Sequence, residues 1–372
     1  MWNTADIKKK KKYILDRLSN VLDPKEKERL EYSFLTLTAV LENSGSVRYT
    51  RLYNLLDRVS NDRFKLINDQ KYAELEQKLF TEKELELDDE YVSFLYNMIN
   101  NVDGYTGLSE VPELLPVKST NEELKLIAKQ FYTDLGDEEI EQAANKTLNN
   151  PSLLNFSPHY RKCFKDYGGI AFYDYVFKNV YCTVRKSDNI FDSLSCAHEV
   201  MHGVDFYMSE KLPSENYYGF HEVPTYTINY LFIDYLSSSN TSSEEVNKLK
   251  IHVDAYIQQL AIMILSRIKR QIICNKKVTG SYKASIENIK RALNNDIMRH
   301  ILELQSAVMA YGLYLQIKNN HQQGINNLKT FMKSNIPKDK VPDFSHLGLS
   351  NEVLLELSNH IFDFSKNIDI VL

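Results

Sequence analysis

Apolar residues recur three and four apart through most of this chain, and that recurrence predicts a succession of helices. Tyr13-Ile14-Leu15, Leu18 and Val21-Leu22 keep the spacing until Asp23-Pro24 breaks it. The runs 30–41 and 49–66 continue it with Gly45 between them, 74–90 is acidic and leucine-bearing, and 91–99 is amphipathic again. Gly104, Gly107, Pro112 and Pro116 then interrupt the pattern, so 101–116 reads as a linker. Helices are predicted over 122–132 and 137–149, the second ended by Pro151. The character changes over 167–177 and 179–186. Both stretches are rich in aromatic and β-branched residues, the first opens on Gly168-Gly169, and they predict two strands.

Helical spacing resumes over 193–206 and again over 219–235, where Pro224 is tolerable because a first turn needs no N–H at that place. Ser237 to Ser243 is a polar loop. A long helix over 244–274 follows, apolar nearly all round between Tyr256 and Leu265 and therefore buried there. Further helices are predicted over 285–318, 326–333 and 350–364, with Pro337 and Pro342 marking a loop. The expected fold is mainly α with a small sheet. Its expected division is an N-terminal helical region over 1–110 and a second domain over 117–372.

The candidate chemistry lies on the helix 193–206. Its centre is His198-Glu199-Val200-Met201-His202. Residues four apart on a helix stand one turn above each other, so the two imidazoles share a direction and can share one metal ion. Glu199 projects a step round from His198, where a carboxylate can take a proton from a water that the ion activates. Leu194, Ala197, Met201 and Val204 make an apolar stripe that would bury the other side, and Asp192 or Ser193 can cap the start. Catalytic zinc usually takes three protein ligands and keeps one position open. Glu222, separated from His202 by nineteen residues and at the start of the next helix, is the candidate third. Asp205, three residues past His202, can bond the second ring nitrogen of a ligand histidine, and His221, Tyr217, Tyr218 and Phe220 can line a substrate channel.

Composition narrows the setting. At 43% hydrophobic and 26% charged the 372 residues are ordinary for a globular protein, and a formal charge of −5 gives no reason to expect nucleic acid. The basic run Lys8 to Lys12 reads as a solvated segment. Cys163, Cys182, Cys196 and Cys274 are far apart with no C-x-x-C pair, which suggests neither a disulfide framework nor a cysteine metal site. The first residues lack a signal peptide's apolar core and no eighteen-residue apolar run occurs, so no membrane partner and a cytoplasmic location are expected.

Taken together, Tyr167-Gly168-Gly169, the strand after it, His198-Glu-Val-Met-His202 and Glu222-Val-Pro-Thr225 resemble the oligoendopeptidase F and thimet-oligopeptidase family of zinc metallopeptidases. The segment from Tyr132-Thr-Asp-Leu-Gly136 to Asn149 is similar to the stretch that enters that family's catalytic domain, and the resemblance covers residues 120–364. It implies a zincin-type helical fold with a small sheet beside the metal helix, and a catalytic domain over 117–372. It also implies Zn2+ held by His198, His202 and Glu222, with Glu199 as general base, and peptide substrates that are short and unstructured. A late histidine and tyrosine stabilise the oxyanion in the family, which points to His300 and Tyr311. The chain departs from the pattern in having Met201 where the family has glycine, a shorter spacing to Glu222, a shorter N-terminal part, and Gln305-Ser306 where a tyrosine is expected. Those departures keep two alternatives in view: an inert zinc-binding scaffold, and a regulatory protease with one protein partner. The oligomeric state is open.

Overall fold

The computed structural model describes residues 3–43, 88–100, 112–157, 169–209, 212, 220–239, 241–279, 295–334, 336 and 342–361, and no side chain between 265 and 300. The predicted stretches 49–66, 74–87, 101–111 and 285–294 lie outside the described residues, as do Gly45, Cys163, Tyr167, Gly168, Tyr217 and Tyr218. In chain order the helices are α1 (Thr4–Leu18), α2 (Pro24–Asn43), α3 (Asp89–Asn100), α4 (Asn121–Asp134) and α5 (Glu138–Leu148). Strands β1 (Leu154–Ser157), β2 (Gly169–Asp174) and β3 (Asn179–Arg185) come next. Then follow α6 (Phe191–Ser209), α7 (Glu222–Ser238), α8 (Ser243–Thr279), α9 (Asn295–Asn319), α10 (His321–Lys333) and α11 (Asn351–Ile361). The fold is mainly helical with a small sheet, as the periodicity predicts. Among the described residues no helix is long and apolar enough to cross a membrane.

Short polar side chains set the helix starts. Asn3 accepts from the Asp6 amide, Asp23 from those of Lys25 and Glu26, and Asp137 from that of Ile140. Thr120 and Glu123 form a reciprocal capping box at α4. The chain forms two compact units, Met1–Lys83 with Pro116–Ser214, and Glu84–Leu115 with Glu215–Leu372.

The first unit holds the sheet, in the order β1-β3-β2. β2 and β3 are the predicted strands, paired antiparallel from Gly169 opposite Val184 to Asp174 opposite Asn179. Asp174 shapes the hairpin by accepting from the Val176 and Phe177 amides. β1 is absent from the sequence reading. It is four residues long, too short for a period to register, and its pairing parallel to β3 comes from tertiary packing. With β1 and β2 on its flanks, β3 is central, and Val180 to Val184 are buried on both faces. α6 packs on β2 and β3, α4 and α5 pack on α6, and α2 packs on β2. The core between α1, α2 and the sheet gathers Ile7, Ile14, Leu30, Phe34, Leu37, Phe172 and Tyr181.

The lysine run is not merely solvated. It lies within α1, where Lys10 pairs with Asp6 at 2.9 Å and stands 5.4 Å over the Phe177 ring, while Lys11 covers Phe34 at 4.5 Å. Long lysine stems can cover apolar surface while the ammonium stays wet, which a reading by charge alone overlooks.

In the second unit α9 packs against α7, α8, α10 and α11, and α3 packs on α8 and α11. Ala307, Val308, Met309, Ala310 and Leu313 are fully buried on α9. Tyr91 of α3 donates to Gln305 Oε1 at 2.7 Å, and the Ser306 hydroxyl donates to the Leu302 carbonyl. The Gln305-Ser306 pair thus serves the interior of this unit.

Candidate metal centre

On α6 the two histidines stand one turn apart, their rings T-shaped with centroids 5.1 Å apart and planes at 82°. His202 and Glu199 are only 5% and 3% exposed, and His198 is half-buried. The predicted apolar stripe is in place, with Leu194, Ala197, Met201 and Val204 all buried. The expected cap is not. Asp192 lies inside the first turn, and its carboxylate turns back to accept the Ser187 amide at 2.6 Å and the Asp188 amide at 3.0 Å. Burial nonetheless lifts its pKa above the ordinary carboxylate value. Ser193 donates to the Ile190 carbonyl instead of capping. Asp205 is half-buried, and its backbone carbonyl accepts from Ser209.

Four neighbours fix α6, through contacts that the sequence does not display. A Cβ at Gly169 of β2 would stand 2.6 Å from Glu199 Cγ and would also strike the Thr183 carbonyl, so the strand passes the Glu199 side chain at a distance only glycine permits. A Cβ at Gly203 would meet Thr147 Oγ1 at 2.7 Å. The close approach to α5 therefore falls at Gly203, while Met201 is core. Tyr132 of α4 donates its hydroxyl to the Ala197 carbonyl at 2.7 Å. Cys182 of β3 points its thiol at the Glu199 carbonyl at 3.2 Å. Burial pushes the Tyr132 phenol and the Cys182 thiol well above their usual pKa, which keeps both protonated as donors. Cys196, also buried and reduced, is raised to about 12 by burial and the nearby Glu199.

Glu222 is the first residue of α7 and half-buried. Its Oε2 accepts from Thr225 Oγ1 at 2.9 Å, and its Oε1 lies 3.0 Å from His221 Nε2. One donor atom each from His198, His202 and Glu222 can be chosen so that all three lie within 4.8 Å of one another. Two imidazole nitrogens and one carboxylate oxygen are a donor set that suits zinc with a position left open. Of the two residues implied for the oxyanion, His300 lies on α9 with its side chain outside the description. Tyr311 is half-buried on the same helix, its ring 5.4 Å from Tyr230 and 5.9 Å from Tyr314. Phe220 is buried against Phe344.

The second unit also carries a polar seam that periodicity does not signal. Tyr226 and Tyr256 both donate to Glu303 Oε1, at 3.2 and 2.8 Å. Asp234 accepts from Tyr314 at 3.0 Å and pairs with Lys318 at 2.8 Å. Burial raises Asp254 to about 6, against a smaller opposing pull from Lys250.

No family model and no curated protein matches the chain. Among solved structures it is similar to PZ peptidase A with inhibitor 2, with a TM-score of 0.52 and 14% identity over 95% of this chain and 71% of that one. It is also similar to a chain from Bacillus anthracis str. Ames assigned as an oligoendopeptidase F (TM-score 0.48, 14% identity, 92% of this chain) and spans 64% of that protein's length. A third, from Chlamydophila abortus and assigned as a peptidase, gives 0.47 at 13% identity over 92% of this chain and 64% of that one. At such identities the likeness is one of fold, and the PZ peptidase A match carries it.

Proposed function

We propose that this chain is a zinc-dependent peptidase that hydrolyses peptide bonds in short, unstructured peptides. The observation that carries the reading is the grouping of His198, His202 and Glu222 donor atoms within 4.8 Å, with Glu199 next to His198 on the same helix. A fold similar to that of PZ peptidase A supports taking the chemistry as peptide-bond hydrolysis. Zinc, when bound, lowers the pKa of a coordinated water toward neutrality and polarises a carbonyl.

The chain's own residues do the rest. His198, His202 and Glu222 would hold the ion, and Thr225 orients the Glu222 carboxylate by its hydrogen bond to Oε2. Glu199, seated against Gly169 and nearly excluded from solvent, takes the proton of the attacking water and delivers it to the leaving amine. His300 and Tyr311 complete the proposal as donors to the developing oxyanion. Such a donor is worth roughly 3 kcal/mol in comparable sites.

The test is metal content together with incubation of the zinc-loaded protein with a mixed peptide library. Bound zinc and cleavage that a chelator abolishes are expected, and Glu199→Gln keeps the zinc while hydrolysis falls by several orders of magnitude. Zinc bound with no chelator-sensitive cleavage overturns the peptidase reading in favour of an inert zinc-binding protein. Full activity in Glu199→Gln removes the general base.

A further inference from the structure

The hydrogen bonds to the Ala197 and Glu199 carbonyls flank His198 in sequence. Each residue turns an α-helix by roughly 100°, so carbonyls two residues apart leave the axis about 200° from each other. Tyr132 and Cys182 therefore grip α6 from nearly opposite sides, one from α4 and one from β3. His198 lies roughly 100° from each contact, and His202 about 40° further round. A helix held on one side can roll about that contact. Held on two opposed sides, it cannot roll without breaking one bond or the other. Both carbonyls are of the kind that already accept an intrahelical N–H, so each added donor takes a second lone pair and leaves the helix ladder intact.

Tyr132 and Cys182 are ordinary core positions by sequence, an aromatic on a helix stripe and a small apolar residue on a buried strand. Burial alone would be served as well by phenylalanine and alanine or valine. What the hydroxyl and the thiol add is direction, and the direction is toward the backbone on either side of the first histidine.

We infer that Tyr132 and Cys182 are positioning residues, which fix the rotation of α6 so that His198 and His202 meet a metal ion in one orientation. The inference rests on the zinc reading above. Its test is the zinc dissociation constant by chelator competition, with the absorption of the cobalt(II)-substituted protein as a second readout and the melting temperature of the metal-free protein as a control. Tyr132→Phe deletes one oxygen and is expected to weaken zinc binding by roughly fivefold, the equivalent of one ordinary hydrogen bond. It should also broaden or shift the cobalt bands.

Cys182→Ala is expected to weaken zinc binding about twofold to threefold, since a thiol is the poorer donor. Cys182→Ser restores a donor of similar size, and wild-type affinity is expected. A merely structural role would instead lower the melting temperature in all three variants and leave the zinc affinity of the folded protein and the cobalt spectrum unchanged. That result overturns the inference alone, and so does a Cys182→Ser protein as weak as Cys182→Ala. Failure of the wild-type protein to bind zinc at all overturns the zinc reading and the inference with it.

Discussion

Asp192 and Glu222 are both acidic residues in the first turn of a helix, the first buried and the second half-buried, and their surroundings use them differently. Asp192 is fully buried and its two oxygens each accept a backbone amide from the loop just before α6. That carboxylate ties down chain. Glu222 has a hydroxyl on one oxygen and an imidazole beside the other, both from residues within three positions of it. These partners aim a carboxylate rather than organise a loop. The difference teaches that an acid at a helix start is no sign of a ligand until its acceptor capacity has been followed to its donors.

The contrast can be broken by exchanging the expected phenotypes. Glu222→Ala should show the largest effect, loss of most of the bound zinc and of hydrolysis, with the melting temperature of the metal-free protein near wild type. Full metal occupancy in that variant means another residue is the third ligand. Asp192→Ala should do the reverse. It leaves two loop amides without acceptors and should lower stability by about 2–3 kcal/mol in denaturant unfolding, while the refolded protein keeps its zinc stoichiometry. If zinc is lost and stability is kept, the two carboxylates have been assigned the wrong way round.

Asp254 sharpens the comparison as a half-buried acid raised by desolvation to about 6 from a reference of 3.8. Below about pH 4 both folded and unfolded forms are protonated and its burial costs little. The cost grows as pH rises toward 6 and is complete above it, because only the unfolded chain gives up the proton freely. Asp254→Asn should therefore gain on the order of 2 kcal/mol over wild type at pH 7 and almost nothing at pH 3.5. Equal unfolding midpoints across that range would show that Asp254 is solvated. The smallest effect is expected for Thr225→Val, which keeps the shape but removes the hydroxyl on Glu222 Oε2. It should weaken zinc binding severalfold, and an unchanged dissociation constant would mean that the hydroxyl does not orient the ligand.

Helix spans were legible because burial of one face imposes a period, and α4, α5, α8 and α11 fall within a few residues of their predicted bounds. β1 was not legible, since four residues carry no period. The start of α10 was not either, because His321, Gln322 and Gln323 enter the helix without an apolar stripe to announce them. The H-E-x-x-H pair was legible because both histidines lie on one helix and spacing alone fixes their common direction.

Local sequence determined this protein's helices, the shared face of His198 and His202, and the choice of Glu222 as the carboxylate to watch. Only tertiary structure decided that Tyr132 and Cys182 grip α6, that Gly169 makes room for Glu199, and that Asp192 is committed to its own loop. The reason is one of range. A helical period is written within a few consecutive residues, whereas a hydrogen bond across 65 positions, as from Tyr132 to Ala197, depends on how separate elements pack and leaves no mark in either neighbourhood.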